Sequence, residues 1–177
     1  NGKGYGFIKT DGNELMESKY SINSYGNEQP YFLFGRVARS ENRKENSLEM
    51  VDRTGRQLLD LSGYIAAYPI LVGKYDAHYI PLWMVYKKEE KKNLIDLEGK
   101  EQLKRDYQSI SVFDESTALG IRAKRSFMID IDSGKELFEI PEGQVDRWED
   151  GLVTVRLPNR TYRYFTRAGE EVVPFGR

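Results

Sequence analysis

Apolar residues recur at fixed distances from five glycines along the chain. An apolar residue precedes each glycine by four or five positions, and another follows it by three or four. Successive glycines are 43, 44, 35 and 35 residues apart, and a pattern that returns at such an interval predicts a repeat protein. The glycines are Gly12, Gly55, Gly99, Gly134 and Gly169; the apolar residues before them are Ile8, Val51, Ile95, Ile129 and Phe165, and those after them are Leu15, Leu58, Leu103, Leu137 and Val172.

Each glycine is predicted to close a tight turn between two short strands. In residues 52–55 and 96–99, Asp stands first and Gly fourth. This order favours a type I turn, because Asp accepts backbone hydrogen bonds and Gly adopts a positive φ. A glycine in that conformation gives a hairpin with a bulge. Residues 9–12 and 166–169 fit this arrangement more loosely, and residues 130–134 contain one extra residue.

The rest of each repeat is also predicted to be β-strand. Residues 118–122 and 151–156 alternate between apolar and polar, which is typical of a half-buried strand, and helical spacing is weak. We therefore expect one all-β repeat domain of short antiparallel strands with little helix, built as an open twisted array, with a propeller-like closure as the alternative. Its units span about 1–46, 47–92, 93–125 and 126–160, followed by a terminal hairpin at 161–177.

Charge and composition narrow the classes of partner. The 27 basic and 28 acidic residues leave no positive field that would attract nucleic acid. The longest uncharged stretch, residues 61–73, is shorter than the roughly 20 apolar residues of a membrane helix, so no membrane insertion is expected. The charged runs at 40–46 and 87–92 are predicted to be solvated tips between strands. Without cysteine, the chain forms no disulfide or thiolate metal site.

Candidate catalytic and metal-binding groups are weak. His78 is the only histidine and stands two residues after Asp76, but no nucleophile is marked by its surroundings. Asp130, Asp132 and Gly134 follow the outline of a calcium loop, yet the remaining ligands of such a loop are missing. A hairpin turn is the expected use of this segment. We expect no catalytic residue, no metal and no cofactor.

Aromatic residues are the candidates for a binding surface. Tyr75, Tyr79, Trp83 and Trp148, with Tyr25 and Tyr31, would form it if their rings were exposed on one face for a sugar or a peptide. Packing between strands is the more common use of aromatic rings in β-proteins and is the competing interpretation.

Three segments resemble the WG-repeat family of bacteria, also called KWG repeats. In residues 1–8, Tyr5 and Gly6 take the place of the Trp–Gly pair that names the family. Residues 96–101 resemble its turn, and residues 148–156 resemble its closing strand. The resemblance extends from Asn1 to about Val173. It implies an all-β fold that binds partners rather than catalyses a reaction, with no catalytic residue to transfer.

Two hypotheses for function follow, with an enzyme as the third. The first is a non-catalytic bacterial module for protein–protein binding or scaffolding, as part of a larger chain or complex. The alternative is a glycan- or peptidoglycan-binding module of the cell envelope, and the envelope or periplasm is favoured over the cytoplasm. An unpaired apolar strand edge would favour the first, and exposed aromatic rings on one face would favour the second. A deep pocket with His78 or two close carboxylates would favour an enzyme.

Overall fold

The strands of this chain form several small antiparallel sheets. A computed structural model describes residues 5–8, 14–23, 31–37, 46–52, 56–73 and 78–173. In these ranges the regular structure is sixteen strands and one three-residue 3₁₀ turn, so the all-β prediction with little helix is confirmed. The described residues fall into two compact units, one within the ranges Asn1–Pro69, Pro81–Glu90 and Leu94–Lys100, the other within Ile70–Ile80, Lys91–Asn93 and Glu101–Arg177.

Within each sheet, strands that follow one another in the chain lie side by side. The first sheet contains β1 (Tyr5–Ile8), β2 (Glu14–Asn23), β3 (Tyr31–Val37), β4 (Asn46–Asp52) and β5 (Gln57–Asp60). The second contains β6 (Ala66–Val72), β7 (His78–Tyr86) and β8 (Lys92–Asp96). The third contains β9 (Ser109–Val112), β10 (Thr117–Arg122), β11 (Arg125–Asp130) and β12 (Lys135–Ile140). The fourth contains β13 (Gln144–Glu149), β14 (Leu152–Arg156), β15 (Tyr162–Thr166) and β16 (Glu171–Val172).

The predicted glycine turns are present at three described positions. Gly99, Gly134 and Gly169 have φ of +82°, +65° and +87°. The Gly99 N–H donates to the Asp96 carbonyl at 3.1 Å, and the Asp96 side chain accepts from the backbone N–H of Lys100 at 2.9 Å. The prediction of a type I turn led by Asp is therefore confirmed here. Gly12 and Gly55 lie outside the described residues.

The repeat in the sequence and the sheets are offset in phase. Each predicted unit starts close to the strand that enters a turn, as β11 does for the unit at 126–160. The third and fourth sheets instead end with the strands that leave the Gly134 and Gly169 turns, β12 and β16, whereas the second sheet ends with β8, which enters the Gly99 turn. Consequently the hairpin of β15 and β16 is not an appendage, because it completes the fourth sheet.

Gly99, Gly134 and Gly169 each lie against the last strand or segment of the preceding sheet. A Cβ on Gly99 would lie 3.2 Å from the Leu59 side chain, and a Cβ on Gly169 would lie 2.7 Å from the Phe138 ring. On Gly134 it would overlap the carbonyl oxygen of Gln102. The positive φ favours glycine at all three turns, and close approach adds to this at Gly134 and Gly169. Consecutive sheets share this contact.

The covered apolar residue after each turn glycine lies four positions after it, one later than the three positions that the sequence pattern gave for most repeats. Leu58, Leu137 and Val172, each three positions after a turn glycine, are 45%, 39% and 36% exposed. The fourth position after the glycine instead carries Leu59, Leu103 and Phe138, which are buried or half-buried. Successive side chains of a strand point to opposite faces, so one residue decides which side chain is covered. We call this residue the fourth position.

Each compact unit has its own apolar core. Both cores join side chains from two consecutive sheets, which ties those sheets together by burial of apolar surface. In the first unit the buried members are Leu48, Met50, Leu61, Ala67, Trp83, Val85 and Ile95. In the second they are Met128, Ile140, Val153, Val155 and Phe165.

The second sheet has three strands, and the segment after its last turn is held by the side chain of Asn93 instead of by a strand ladder. This side chain is buried, accepts from the Leu103 N–H at 3.2 Å and donates to the Leu103 carbonyl at 3.2 Å. It also donates to Asp106 at 2.9 Å and to Glu101 at 3.2 Å. A single amide therefore satisfies backbone groups that a strand ladder would otherwise pair. These bonds hold Leu103 in place, in the segment against which the Gly134 turn packs.

The charged run at 87–92 forms the connection between β7 and β8. Residues 88–91 are exposed and include the 3₁₀ turn Lys88–Glu90, in which Glu89 has a φ of 59°. The predicted solvated tip is confirmed for this run. Residues 40–45 of the other charged run lie outside the described residues.

A partly buried ion pair in the third sheet is expected to make the stability of the fold fall at acidic pH. The Arg122 guanidinium donates to both oxygens of Glu136, at 2.8 and 3.1 Å, and the Tyr107 hydroxyl donates to the same carboxylate at 3.0 Å. The pKa of Glu136 lies below its ordinary value, chiefly because of the hydrogen bonds from Arg122. Burial acts in the opposite direction and does not cancel this effect. A lowered folded-state pKa gives stability that is present above the unfolded-state pKa and is lost as pH falls through the folded-state pKa.

We therefore expect Glu136→Gln to reduce the loss of stability between pH 7 and pH 3. At pH 7 the variant loses about 1 kcal/mol of unfolding free energy, because a charge-assisted bidentate pair becomes a weaker one. Urea denaturation at both pH values measures the two differences. The exposed Glu142→Gln is the control, and an identical pH dependence for Glu136→Gln and the parent would contradict the expectation.

Candidate functional site

The tryptophan proposed on β7 lies in the core rather than at a surface. Trp83 is 1% exposed and belongs to the core of the first unit. Tyr79 on the same strand is half-buried, and Tyr75 lies outside the described residues. Trp83 is therefore removed from the set of rings that a ligand can reach.

Trp148 on β13 is held by packing and by a hydrogen bond. Its ring stacks on Phe113 with centroids 5.8 Å apart and planes 10° from parallel. Its indole N–H donates to Asp114 Oδ2 at 2.9 Å, and the ring packs against the core of the second unit. These contacts account for a half-buried tryptophan without a ligand.

Among residues 56–73 and 78–173, whose burial the structure describes, exposed aromatic rings do not form a row. The exposed rings there are those of Tyr68 on β6, at 38%, and Tyr162 on β15, at 47%, which belong to different sheets. Tyr68 meets the Tyr86 ring edge-on, with centroids 5.3 Å apart. The side chains of Tyr25 and Tyr31 lie outside the described residues.

His78 forms an exposed contact with Glu115. Its Nε2 lies 3.2 Å from Glu115 Oε1, and both side chains are more than half exposed. An exposed pair of this kind contributes little to stability. Asp76, the sequence neighbour considered with it, lies outside the described residues.

Asp130 serves a hairpin turn and a contact between two sheets. One carboxylate oxygen accepts from the Ser133 N–H at 2.7 Å, and the other accepts from Arg167 at 2.8 Å. Both bonds, led by that from Ser133, lower the pKa of Asp130. The segment is thus a hairpin, as expected. Residues 5–173, apart from the gaps given above, contain no group of three or more carboxylate or histidine side chains arranged to hold a metal.

The outer edge of the fourth sheet combines a strand that is paired on one side with exposed apolar side chains. Among the described strands, β15 is the one neighbour of β16. Val172 is half-exposed, and Val173, directly after the strand, is 78% exposed. Beside them Arg163 donates to both oxygens of Glu171. We call Arg163, Glu171, Val172 and Val173 the edge surface.

The ion pair fixes the charged part of the edge surface. The bonds from Arg163 lower the pKa of Glu171, so the carboxylate stays ionised at neutral pH. The guanidinium carbon of Arg163 also lies 5.0 Å from the centre of the Phe165 ring, within reach of a cation–π contact. The surface therefore offers two valines next to a locally neutral, oriented ion pair.

A shallow groove of about 760 Å³ lies at one end of the same sheet. Arg156 donates to Gln144 there at 2.9 Å, and Tyr162 is exposed at the start of β15. Its described lining contains no carboxylate and no histidine, so these residues supply no acid–base pair for catalysis. The lining is Gly143, Gln144, Arg156, Leu157, Pro158, Arg160 and Tyr162.

Comparisons with known proteins return structural similarity alone. No protein-family model matches the chain, and no curated protein sequence matches it. The computationally designed Ika8 protein is 15% identical over 92% of this chain and 52% of its own, with a TM-score of 0.47. BamB from Moraxella catarrhalis is 13% identical over 97% and 54%, with a TM-score of 0.46. The designed Ika4 protein is 16% identical over 82% and 96%, with a TM-score of 0.45.

This chain spans about half the length of the Ika8 and BamB chains. The all-β assignment rests on the strands and their pairing described above. No helix among the described residues has the length and apolar character that crossing a membrane requires.

Sequence reasoning selected Val172 but missed Val173. The signal for Val173 was present, since it stands four positions after Gly169, as Leu59 does after Gly55 and Phe138 after Gly134. Counting three positions gave an exposed residue in each of these repeats. The difference becomes visible only when the faces of the strands are known.

Proposed function

We propose that this chain is a non-catalytic repeat module that binds a protein partner through the edge surface. The observation that supports it is the edge strand β16, which has β15 as its one neighbour among the described strands and carries exposed Val172, with exposed Val173 directly after it. A strand edge offers backbone N–H and C=O groups to a further strand, and neighbouring apolar side chains add burial when that strand binds.

The hydrogen-bond pattern of the last hairpin supports this use of the edge. The Thr166 N–H donates to the Glu170 carbonyl at 2.8 Å, so Glu170 faces β15. Because the bonding direction alternates along an antiparallel pair, Glu171 and Val173 direct their backbone groups away from β15. An extended segment of a partner would find donors and acceptors at these two residues.

The same proposal includes the finer assignments made from sequence. These are kinship with the WG-repeat family, a bacterial source, and a place in a larger chain or complex. Their support is the resemblance of residues 1–8, 96–101 and 148–156 to that family. The described lining of the groove, with neither histidine nor carboxylate, is in keeping with a module that binds rather than catalyses.

We expect Val173→Asp to abolish capture of the partner. The chain, tagged and expressed in its native host, is purified with its associated proteins, and the captured proteins are identified and then tested for direct binding in purified form. A buried aspartate without a cation would cost several kcal/mol, enough to reduce affinity at least about a hundredfold. Ile65→Asp, a change at another exposed apolar residue, is the control and retains binding.

Glycan binding is the alternative, and the groove beside Tyr162 is the observation that favours it. An exposed ring with Arg156 and Arg160 nearby suits an acidic sugar. Sedimentation with purified peptidoglycan is therefore measured for the same proteins. Retention on peptidoglycan, together with a set of captured proteins unchanged by Val173→Asp, would overturn the protein-binding proposal in favour of this alternative.

A further inference from the structure

The groove at the end of the fourth sheet contains two arginines that no carboxylate neutralises among the described residues. Arg156 donates to the neutral side-chain amide of Gln144 at 2.9 Å, and the Arg160 side chain forms no hydrogen bond or ion pair with a described residue. Both arginines line the groove. The other arginines between residues 144 and 172 all form ion pairs, which are Arg147 with Glu149, Arg163 with Glu171 and Arg167 with Asp130.

Arg160 occupies a turn position that is glycine in other turns with the same hydrogen bonds. Its N–H donates to the Leu157 carbonyl at 2.9 Å, and the Leu157 N–H donates to the Thr161 carbonyl at 2.9 Å. The turns closed by Gly99 and Gly169 have the same pair of bonds. Arg160 has a φ of +65°, which is unfavourable for a residue with a Cβ. Strain of this kind at an exposed residue points to a use for the side chain itself.

The lining of the groove suits a carboxylate. Its charged side chains are the two arginines, and the Gln144 amide and the Tyr162 hydroxyl are further hydrogen-bond donors. Glu142 precedes Gly143 in the chain but is not part of the lining. A guanidinium presents a planar fork of N–H donors that matches both oxygens of a carboxylate. The groove therefore favours an acidic group over a neutral one.

The groove and the edge surface lie on neighbouring parts of the fourth sheet. Tyr162 lines the groove and begins β15, and Tyr164, two residues later, pairs with Val172 of β16. Arg160 lies in the turn that leads into β15. Because neighbouring strands are roughly 4.8 Å apart, a further strand beside β16 would run about 10 Å from β15. A segment that binds the edge surface therefore passes close to the groove.

We propose that the groove binds a carboxylate of the protein partner, on an aspartate or glutamate of the segment that lies against the edge surface. This rests on the proposed function and adds the chemical class of the partner, an acidic segment. Burial at Val172 and Val173 supplies affinity for a strand, and the groove selects strands by their charge. Salt screens the second contribution more than the first.

Neutralising the groove should weaken binding of the partner. The host proteins that the parent chain captures are purified, and their dissociation constants are measured with the double variant Arg156→Gln, Arg160→Gln. We expect a rise of at least about tenfold, because charge-assisted bonds to the carboxylate are lost. The difference should narrow as the salt concentration rises. Arg147→Gln is the matched control, since it removes an exposed arginine of β13 outside the groove, and it should change the constant by less than about twofold.

Arg160→Gly separates binding from folding. Glycine adopts a positive φ without strain, so Tm should stay the same or rise. The dissociation constant for the partner should nevertheless rise at least about threefold, because the side chain is lost. A fall in Tm would show that Arg160 serves the turn rather than a ligand, and either that result or an unchanged dissociation constant would overturn the assignment.

Carbodiimide cross-linking identifies the acidic group. Arg160→Lys places an amine in the groove, and the reagent joins that amine through an amide to a carboxylate in contact with it. The cross-linked complex is digested, and the fragment joined to position 160 is identified by mass spectrometry. We expect an aspartate or glutamate of the captured protein, and no such product from Arg147→Lys. A sugar acid at position 160, or no product with the partner, would overturn the assignment.

The two proposals fail in different ways. If Val173→Asp abolishes capture while the groove variants bind as the parent does, the acidic segment is wrong and the protein-binding function stands. If the parent captures no protein, or if Val173→Asp leaves capture unchanged, both are wrong. A sugar acid joined to position 160 favours the glycan alternative. Circular dichroism of each variant ensures that a loss of binding is not a loss of folding.

Discussion

Replacing Gly134 by alanine is expected to lower the unfolding free energy by about 3 kcal/mol, against about 1 kcal/mol for Gly151→Ala. Both glycines have a positive φ, +65° and +74°, which costs an alanine about 1 kcal/mol or slightly more. The neighbours differ. A Cβ on Gly151 has no atom within 4 Å, whereas on Gly134 it overlaps the Gln102 carbonyl and lies 3.3 Å from Leu103 Cα. Backbone cannot move aside cheaply, and such overpacking costs about 1–3 kcal/mol more.

Urea denaturation of the parent and the two variants measures the difference. In a chain of this length each kcal/mol corresponds to a shift of about 2–4 °C in Tm, so thermal unfolding resolves it as well. Gly169→Ala should fall between the two, because its obstacle is the Phe138 ring at 2.7 Å, a side chain that can rotate. Equal losses for Gly134→Ala and Gly151→Ala would show that the turn does not press on the preceding sheet.

The turns could be predicted because their causes are local. In residues 96–99, Asp and Gly specify the hydrogen bonds and the positive φ that the structure has. The grouping of strands into sheets could not be predicted in the same way. Whether β12 ends one sheet or begins another depends on pairing between residues that the spacing of glycines does not report. The sequence therefore predicts that the chain is a repeat, but not at which strand each sheet begins and ends.

The site was harder to predict because exposure depends on strand phase. On β7 the buried residues are Ile80, Trp83 and Val85, so the alternation shifts by one residue between Ile80 and Trp83. An alternation that shifts within a strand gives no sequence rule for which face Trp83 occupies. The aromatic residues left both a binding surface and packing between strands open, and the Trp83 ring lies in the core. To select Val173 on the edge surface, one must know that the fourth residue after a turn glycine, and not the third, is the covered one in the earlier sheets. Only the packed sheets show this difference.

The second large effect is expected at Asn93. Asn93→Ala removes hydrogen bonds to the Leu103 N–H, the Leu103 carbonyl and the Asp106 carboxylate, and leaves buried backbone groups without those bonds. An unsatisfied buried polar group costs about 1–3 kcal/mol, so we expect a total loss of about 3 kcal/mol. Asn159→Ala is the control. Asn159 is exposed and accepts from Thr161 within its own turn, so its loss should stay below about 1 kcal/mol.

Asn93 and Gly134 act on the same segment, so their effects should not add. Asn93 holds Leu103 from one side, and the Gly134 carbonyl accepts from the Lys104 N–H at 3.2 Å on the other. Once Asn93→Ala has loosened this segment, the extra Cβ of Gly134→Ala meets a backbone that can move. The double variant should therefore lose at least about 0.5 kcal/mol less than the sum of the single losses, whereas Asn93→Ala with Gly151→Ala should be additive. Strict additivity in both pairs would mean that Asn93 does not support residues 102–104, against which the Gly134 turn packs.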